Sequence, residues 1–153
     1  MLSSMKTSLI GIASLALASI ALVSLGSSAA FAGNTILLNQ DGYGNGAGVF
    51  QQGNWNKGQI WQIHRKNSAM LRQLGYGNVT VIGQDGSHNN SRVDQTGANN
   101  IAGCAQIGRR NTCGIDQTGV GNAAATIQVG HGHNSSVSQT GTGNTSVTIQ
   151  GDF

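Results

Sequence analysis

The chain has 153 residues, a formal net charge of +3, no proline and 24 glycines, and only 8% of its residues are charged. With 5% aromatic residues, this composition excludes a conventional thick hydrophobic core and by itself is typical of disordered chains. The five acidic residues are all scattered aspartates, and together with the small net charge they favour neither acid–base catalysis nor dedicated nucleic-acid binding.

The first predicted element is a secretory signal peptide at residues 1–32. Lys6 precedes the apolar stretch Leu9–Leu25, and small residues follow up to Ala30-Phe31-Ala32, which is the pattern of a cleavage site. Small residues dilute the apolar run, so we favour this interpretation over a transmembrane anchor. Residues 33–153 are then predicted to form one domain outside the cytoplasm.

An eleven-residue repeat runs through this predicted domain. Each repeat has a glutamine, an asparagine six residues before it and a glycine two residues after it, with exceptions at His133, His64 and Asp152. Because glycine and asparagine interrupt most repeats, a helical supercoil of the same period is excluded. The glutamines in register are Gln40, Gln51, Gln62, Gln73, Gln84, Gln95, Gln106, Gln117, Gln128, Gln139 and Gln150. The asparagines in register are Asn34, Asn45, Asn56, Asn67, Asn78, Asn89, Asn100, Asn111, Asn122 and Asn144.

Alternation between each asparagine and its glutamine predicts a strand in every repeat. In "NTILLNQ", Asn34, Ile36, Leu38 and Gln40 share one face, and the equivalent positions in the other copies carry no charge. The residues after each glutamine include the glycines that a tight turn requires. Each repeat is therefore predicted to be a seven-residue strand and a four-residue turn, and two repeats make one 22-residue coil.

The predicted fold class is all-β, a β-solenoid of about five and a half 22-residue coils with 11 short strands stacked in parallel in two facing sheets. Identical side chains then lie above one another, and the buried glutamine and asparagine amides bond to each other in ladders. No capping element is recognised beyond Asn34–Gln40 or Asn144–Gln150, so we expect the end strands to pair with further copies.

Cys104 and Cys113 both lie at inward positions of neighbouring strands and face each other across the coil. A disulfide suits an extracellular protein. Facing sheets, however, lie about 10 Å apart, whereas a disulfide needs Cα atoms within about 7 Å of each other. A disulfide and a pair of buried thiols are both compatible with the sequence.

The two turn edges of the predicted solenoid differ in charge. One edge contains Arg65, Lys66, Arg109 and Arg110, whereas the turns of the other edge carry no charge. The basic edge either attracts polyanions such as extracellular DNA or acidic polysaccharide, or keeps the chain soluble and slows premature pairing. Neither a metal site, another cofactor site nor a catalytic group is predicted.

Repeats of the form Gln-x-Gly-x-x-Asn resemble those of curlin, the subunit of bacterial curli amyloid fibres. The resemblance extends from Asn34 to Gln150, and the in-register glutamines and asparagines match the core amides of that family. It implies periplasmic chaperones, export through an outer-membrane curli pore of a Gram-negative bacterium, and extracellular assembly with copies of itself and a second curlin-type subunit. Only Gly33 separates the predicted cleavage site from the first repeat, which favours a nucleator-like or curlin-associated subunit, with the major subunit as the alternative.

The expected function is therefore that of a structural, non-enzymatic subunit of cell-surface amyloid fibres in the biofilm matrix, which grow by templated strand addition. Short turns leave no cleft for a small-molecule substrate. The alternative is a monomeric secreted solenoid that acts as a binding module or adhesin. Outward positions such as Lys57, Gln59 and Trp61 form no regular array, so this alternative is second.

Overall fold

Strands of nearly equal length follow one another along the chain. The computed structural model describes residues 20–22, for their backbone, and residues 33–152; most of the predicted signal peptide lies outside them. The strands are β1 Ile20–Leu22, β2 Thr35–Tyr43, β3 Gly46–Asn54, β4 Lys57–Arg65, β5 Ser68–Tyr76, β6 Val79–Ser87, β7 Asn90–Ala98, β8 Ile101–Arg109, β9 Thr112–Val120, β10 Ala123–His131, β11 Asn134–Thr142 and β12 Thr145–Gly151. No helix occurs among the described residues, and hence none that is long and apolar enough to cross a membrane.

The strands form two parallel sheets of six strands each. The first has the order β1-β3-β5-β7-β9-β11 and the second the order β12-β10-β8-β6-β4-β2. From β2 to β10, each strand pairs in register with the strand 22 residues later, as Gln62 of β4 pairs with Gln84 of β6. This confirms an all-β parallel solenoid, of about five turns. The short β1, within the predicted signal peptide, pairs with β3 from Ile20 opposite Ala47.

Burial alternates along each strand because the two sheets face each other and only one side chain in two points between them. In β4, Gly58, Ile60 and Gln62 are buried, whereas Lys57 and Trp61 are exposed. The core is thin, with two small or apolar positions and one glutamine from each strand. Its buried apolar residues are Ala47, Val49, Ile60, Ala69, Leu71, Ile82, Val93, Ala102, Cys104, Cys113, Ile115, Ala124 and Val137.

The predicted division of each repeat into seven strand and four turn residues is wrong. Full strands are nine residues long in all but the last repeat, and two residues join them. Backbone pairing continues past the glutamine because the residue two positions after it, glycine in most repeats and His64 in β4, has a positive φ in every repeat up to that of Gln139. Gly97, for example, has φ +119° and still pairs in register with Gly119.

Candidate functional site

The in-register glutamines lie in two continuous ladders inside the solenoid. From Gln40 to Gln128, each side-chain Nε2 donates a hydrogen bond of 2.5–2.9 Å to the Oε1 of the glutamine 22 residues later. The seven central glutamines, from Gln62 to Gln128, are at most 2% exposed. One ladder contains Gln40, Gln62, Gln84, Gln106, Gln128 and Gln150, and the other contains Gln51, Gln73, Gln95, Gln117 and Gln139.

Most of these glutamines also tie the two sheets together. The Nε2 of Gln62, in β4, donates to the carbonyl oxygen of Gly46, which begins β3 in the opposite sheet, at 3.0 Å. Gln84 donates in the same way to Ser68 at 2.9 Å. No sequence pattern predicts these cross-core bonds, because the acceptors are backbone carbonyls whose position depends on how the coil closes.

The asparagines hold the corners where one strand turns into the next. Asn78 accepts a 3.1 Å bond from the backbone N–H of Asn100 and donates to the carbonyl oxygens of Leu74 and Gly97 at 3.3 and 3.0 Å. Within the described part of the chain, amide-to-amide bonds between asparagines occur only at the corners that begin the strands of the second sheet. At the other corners, Asn45, Asn67, Asn89 and Asn111 bond to backbone groups instead.

His133 takes the place of a corner asparagine. Its backbone N–H donates to Asn111 Oδ1 at 3.0 Å, and its Nε2 lies 3.1 Å from the carbonyl oxygen of Val129. The ring thus reproduces the contact that an asparagine amide makes with the residue four positions earlier. Its Nε2 is also 3.3 Å from a carboxylate oxygen of Asp152.

The two ends of the stack present complementary hydrogen-bonding groups. At one end, Gln51 Oε1 is the only buried side-chain polar atom of the described residues without a hydrogen-bond partner, and Gln40 Oε1 also accepts no bond from them. At the other end, Gln139 and Gln150 donate only to backbone carbonyls, so each amide keeps a second N–H. One end therefore offers acceptors and the other offers donors.

The backbone edges of the end strands are open as well. β2 and β12 border the second sheet and β11 borders the first, with no further strand among the described residues. Inward side chains that are fully buried in the middle of the stack are partly exposed here, as Ile36 and Leu38 are in β2. Unpaired edges with partly exposed inward residues are surfaces to which another strand can add.

Cys104 of β8 and Cys113 of β9 are joined by a disulfide, with their Cα atoms 6.5 Å apart. Both residues are at most 2% exposed. The core side chains here are small, so the facing strands lie closer together than the usual sheet separation of about 10 Å, and the two cysteines can reach each other. The disulfide thus links the two sheets in the middle of the stack.

The four predicted basic residues lie on one edge, and all four are exposed. Arg65 ends β4 and Arg109 ends β8, two strands further along the same sheet. The usual strand spacing places the backbones of these two residues about 9.6 Å apart. Lys66 and Arg110 follow them in the connections. The Arg65 guanidinium donates to the Tyr43 hydroxyl at 3.2 Å, and this bond together with its charge lowers the pKa of Tyr43.

Two comparisons with known proteins bear on this arrangement. A family model described as a curlin associated repeat matches residues 66–97 and 108–141. Both matched stretches lie within the stacked coils, and together they include six of the eleven ladder glutamines, namely Gln73, Gln84, Gln95, Gln117, Gln128 and Gln139. No curated protein matches the chain.

Proposed function

The chain belongs to the curlin repeat family, and from this premise we propose that it is a structural subunit of extracellular curli-type amyloid fibres. Residues 33–153 are the fibre-forming domain, released from residues 1–32 on secretion. The observation that carries the proposal is the complementarity of the ends, where Gln40 and Gln51 offer amide acceptors and Gln139 and Gln150 offer donors.

Growth proceeds by strand addition at these ends. An incoming chain pairs its backbone with an open end strand, which satisfies the unpaired edge and buries the partly exposed inward residues. Its glutamines extend both ladders and give the unpaired Oε1 of Gln51 a donor. Each addition recreates the same surface, so the mechanism repeats without a separate template.

The first test is assembly of the purified chain 33–153. It is expected to form fibres after a lag, to bind amyloid dyes and to shorten its own lag when preformed fibres are added. A folded monomer that persists for days at high concentration would instead support the alternative, a secreted solenoid that acts as a binding module or adhesin.

A second test separates end-strand templating from general stability. Gln40→Ala and Gln150→Ala are expected to slow elongation of added seeds more than Gln95→Ala, because only the end glutamines meet the incoming chain. Equal elongation rates for the three variants would count against templating by the end strands. Gln59→Ala, at an outward position, is the matched control and should elongate like the unaltered chain.

The family also implies partners: a second curlin-type subunit, periplasmic chaperones and the outer-membrane curli export pore of a Gram-negative cell. We place the chain as a nucleator-like or curlin-associated subunit, with the major subunit as the alternative. Deleting the chain in cells distinguishes these roles. Loss of a nucleator leaves the major subunit present but unpolymerised, whereas loss of the major subunit removes the protein that makes up the fibre.

The basic edge of Arg65, Lys66, Arg109 and Arg110 is proposed to hold matrix polyanions such as DNA or acidic polysaccharide. On each copy these four exposed cations outnumber the carboxylates of Asp41 and Asp85 at the same ends of the strands. Replacing the four residues with serine should weaken DNA binding to fibres and flatten its dependence on salt. Unchanged binding would assign the edge to solubility alone.

A further inference from the structure

The two outer faces of the solenoid differ sharply in polarity. In each strand the outward positions are those five, three and one residues before the inward glutamine and one residue after it, which are 57, 59, 61 and 63 in β4. We call these positions in β2, β4, β6, β8, β10 and β12 the apolar face, and those in β3, β5, β7, β9 and β11 the polar face. Ten of the fifteen exposed large hydrophobic residues lie on the apolar face. They are Leu37, Trp61, Ile63, Val81, Ile101, Ile107, Ile127, Val129, Val147 and Ile149.

The polar face carries four charged residues and few apolar ones, whereas the apolar face carries three charged residues, all at the ends of its strands. Arg72, Arg92, Asp94 and Asp116 lie on the polar face, and serine, threonine and asparagine fill most of its remaining positions. Met70, at 54% exposure, is its one exposed large hydrophobic residue. A contiguous apolar patch on one face only indicates a surface that is covered in the working assembly.

We propose that the apolar face docks against the apolar face of a second copy, so that two solenoids lie side by side with their stacking axes parallel. Six strands about 4.8 Å apart, and seven residues rising about 3.3 Å each, give a face of about 29 by 23 Å. Pairing two such faces covers about 1,300 Å² in total, within the range of specific protein interfaces. This contact is lateral and so goes beyond the end-to-end growth proposed above.

Charge complementarity selects both the partner and its orientation. Lys57 begins β4 and is the only cation among the outward positions of the apolar face; the only anions are Asp41 of β2 and Asp85 of β6, near the opposite ends of their strands. A two-fold axis parallel to the stack reverses the strand direction of the second copy. Lys57 then lies over Ile63 of the second copy, between that copy's Asp41 and Asp85. Asp85 keeps its 2.7 Å contact with His64 of its own chain.

The alternative two-fold axes give no such match. An axis along the strands reverses the order of the strands and places Lys57 against Ala123, far from any carboxylate of the second copy. On two strands, β6 and β10, the parallel arrangement also sets large side chains against small ones, whereas on β8 and β12 it sets Ile101 against Ile107 and Val147 against Ile149. Val81 faces Gly83 of the second copy, and Ala125 faces Ile127, so the faces are complementary in shape at these two strands and apolar at the other two.

Carbodiimide coupling tests the contact directly, because this zero-length reagent joins only amines and carboxylates that touch. Within one chain, Lys57 and either aspartate lie about 20 Å apart, six residues along the strand direction, and end-to-end neighbours keep that separation. Equal mixing of ¹⁴N and ¹⁵N chains should therefore give Lys57–Asp41 or Lys57–Asp85 peptides that join light to heavy copies. The absence of these cross-linked peptides from fibres overturns the proposal. If no fibres form, their absence from the concentrated folded chain overturns it in the same way.

Variants of the two faces provide the control. Ile127→Lys should give fibres one solenoid wide and at least a tenfold loss of the Lys57 cross-link, whereas Met70→Lys on the polar face should leave both unchanged. Lys57→Asp should also lose pairing, and adding Asp41→Lys and Asp85→Lys should restore it. Equal effects of Ile127→Lys and Met70→Lys, or no effect of either, would contradict the proposal. Failure of end-to-end growth appears differently, as loss of fibres with the cross-link retained.

Discussion

Gly97 shows what one position of the repeat must satisfy. Its φ of +119° lies in a region that side chains other than glycine rarely enter, and a methyl group here would overlap the carbonyl oxygen of Gly119 in the next coil. That carbonyl is an acceptor for the corner amide of Asn100. The glycine and the asparagine of the motif are therefore parts of one hydrogen-bonded corner, repeated every coil.

We predict that Gly97→Ala destabilises the folded chain by about 2 kcal/mol or more, through backbone strain and the lost corner contact. Gly103→Ala is the matched control, since nothing lies within 4 Å of the added methyl group and its φ is not positive. Urea unfolding of both variants gives the comparison. A cost for Gly97→Ala no larger than that for Gly103→Ala would show that the close approach of the coils is not required.

Gln95 shows why a buried amide ladder tolerates no gap. Gln73 and Thr80 both donate to its Oε1, at 2.9 and 2.7 Å, and its own Nε2 donates to Gln117 at 2.9 Å. We predict that Gln95→Ala costs about 2–4 kcal/mol, because it leaves these buried groups unpaired. Gln59→Ala, at an outward position with no side-chain hydrogen bond to described residues, should stay within about 0.5 kcal/mol of the unaltered chain. Similar unfolding midpoints for the two would contradict the ladder's role in stability.

At the scale of the element, the period predicted the pairing but not the length of the strands. Eleven residues per repeat and inward Gln62 over Gln84 are enough to set the register, since a shift by one residue would expose every inward side chain. The end of a strand depends instead on whether pairing survives the bend at positions such as Gly97, and composition does not reveal that. The two faces are not evident from the motif either, because outward residues vary between repeats and their polarity separates only when strands 22 residues apart are grouped into one sheet.

The disulfide between β8 and β9 acts at this scale. It closes a loop of nine residues between facing strands, and loop-closure entropy gives it about 2–3 kcal/mol of stabilisation. Reduction should lower the unfolding free energy of the chain by that amount and leave the Cys104→Ala/Cys113→Ala variant unaffected. Equal responses of the two proteins to reductant would show that the bond does not form in solution.

At the scale of the whole molecule, the stack has three kinds of surface with different expected partners. The two ends carry open strand edges and unmatched amides, the apolar face carries exposed isoleucine and valine, and one edge carries Arg65, Lys66, Arg109 and Arg110. The sequence predicted the ends and the edge, because both follow from counting along the repeat. The end-to-end complementarity of Gln51 and Gln139 required the direction of each hydrogen bond, which only the folded chain provides.

Fibre diffraction from the aligned, processed chain tests the central claim most directly. A stack of in-register coils that grows at its ends must give a meridional reflection at about 4.8 Å, the spacing of strands that run across the fibre. A processed chain that folds yet stays monomeric, or whose fibres lack that reflection, would contradict the account.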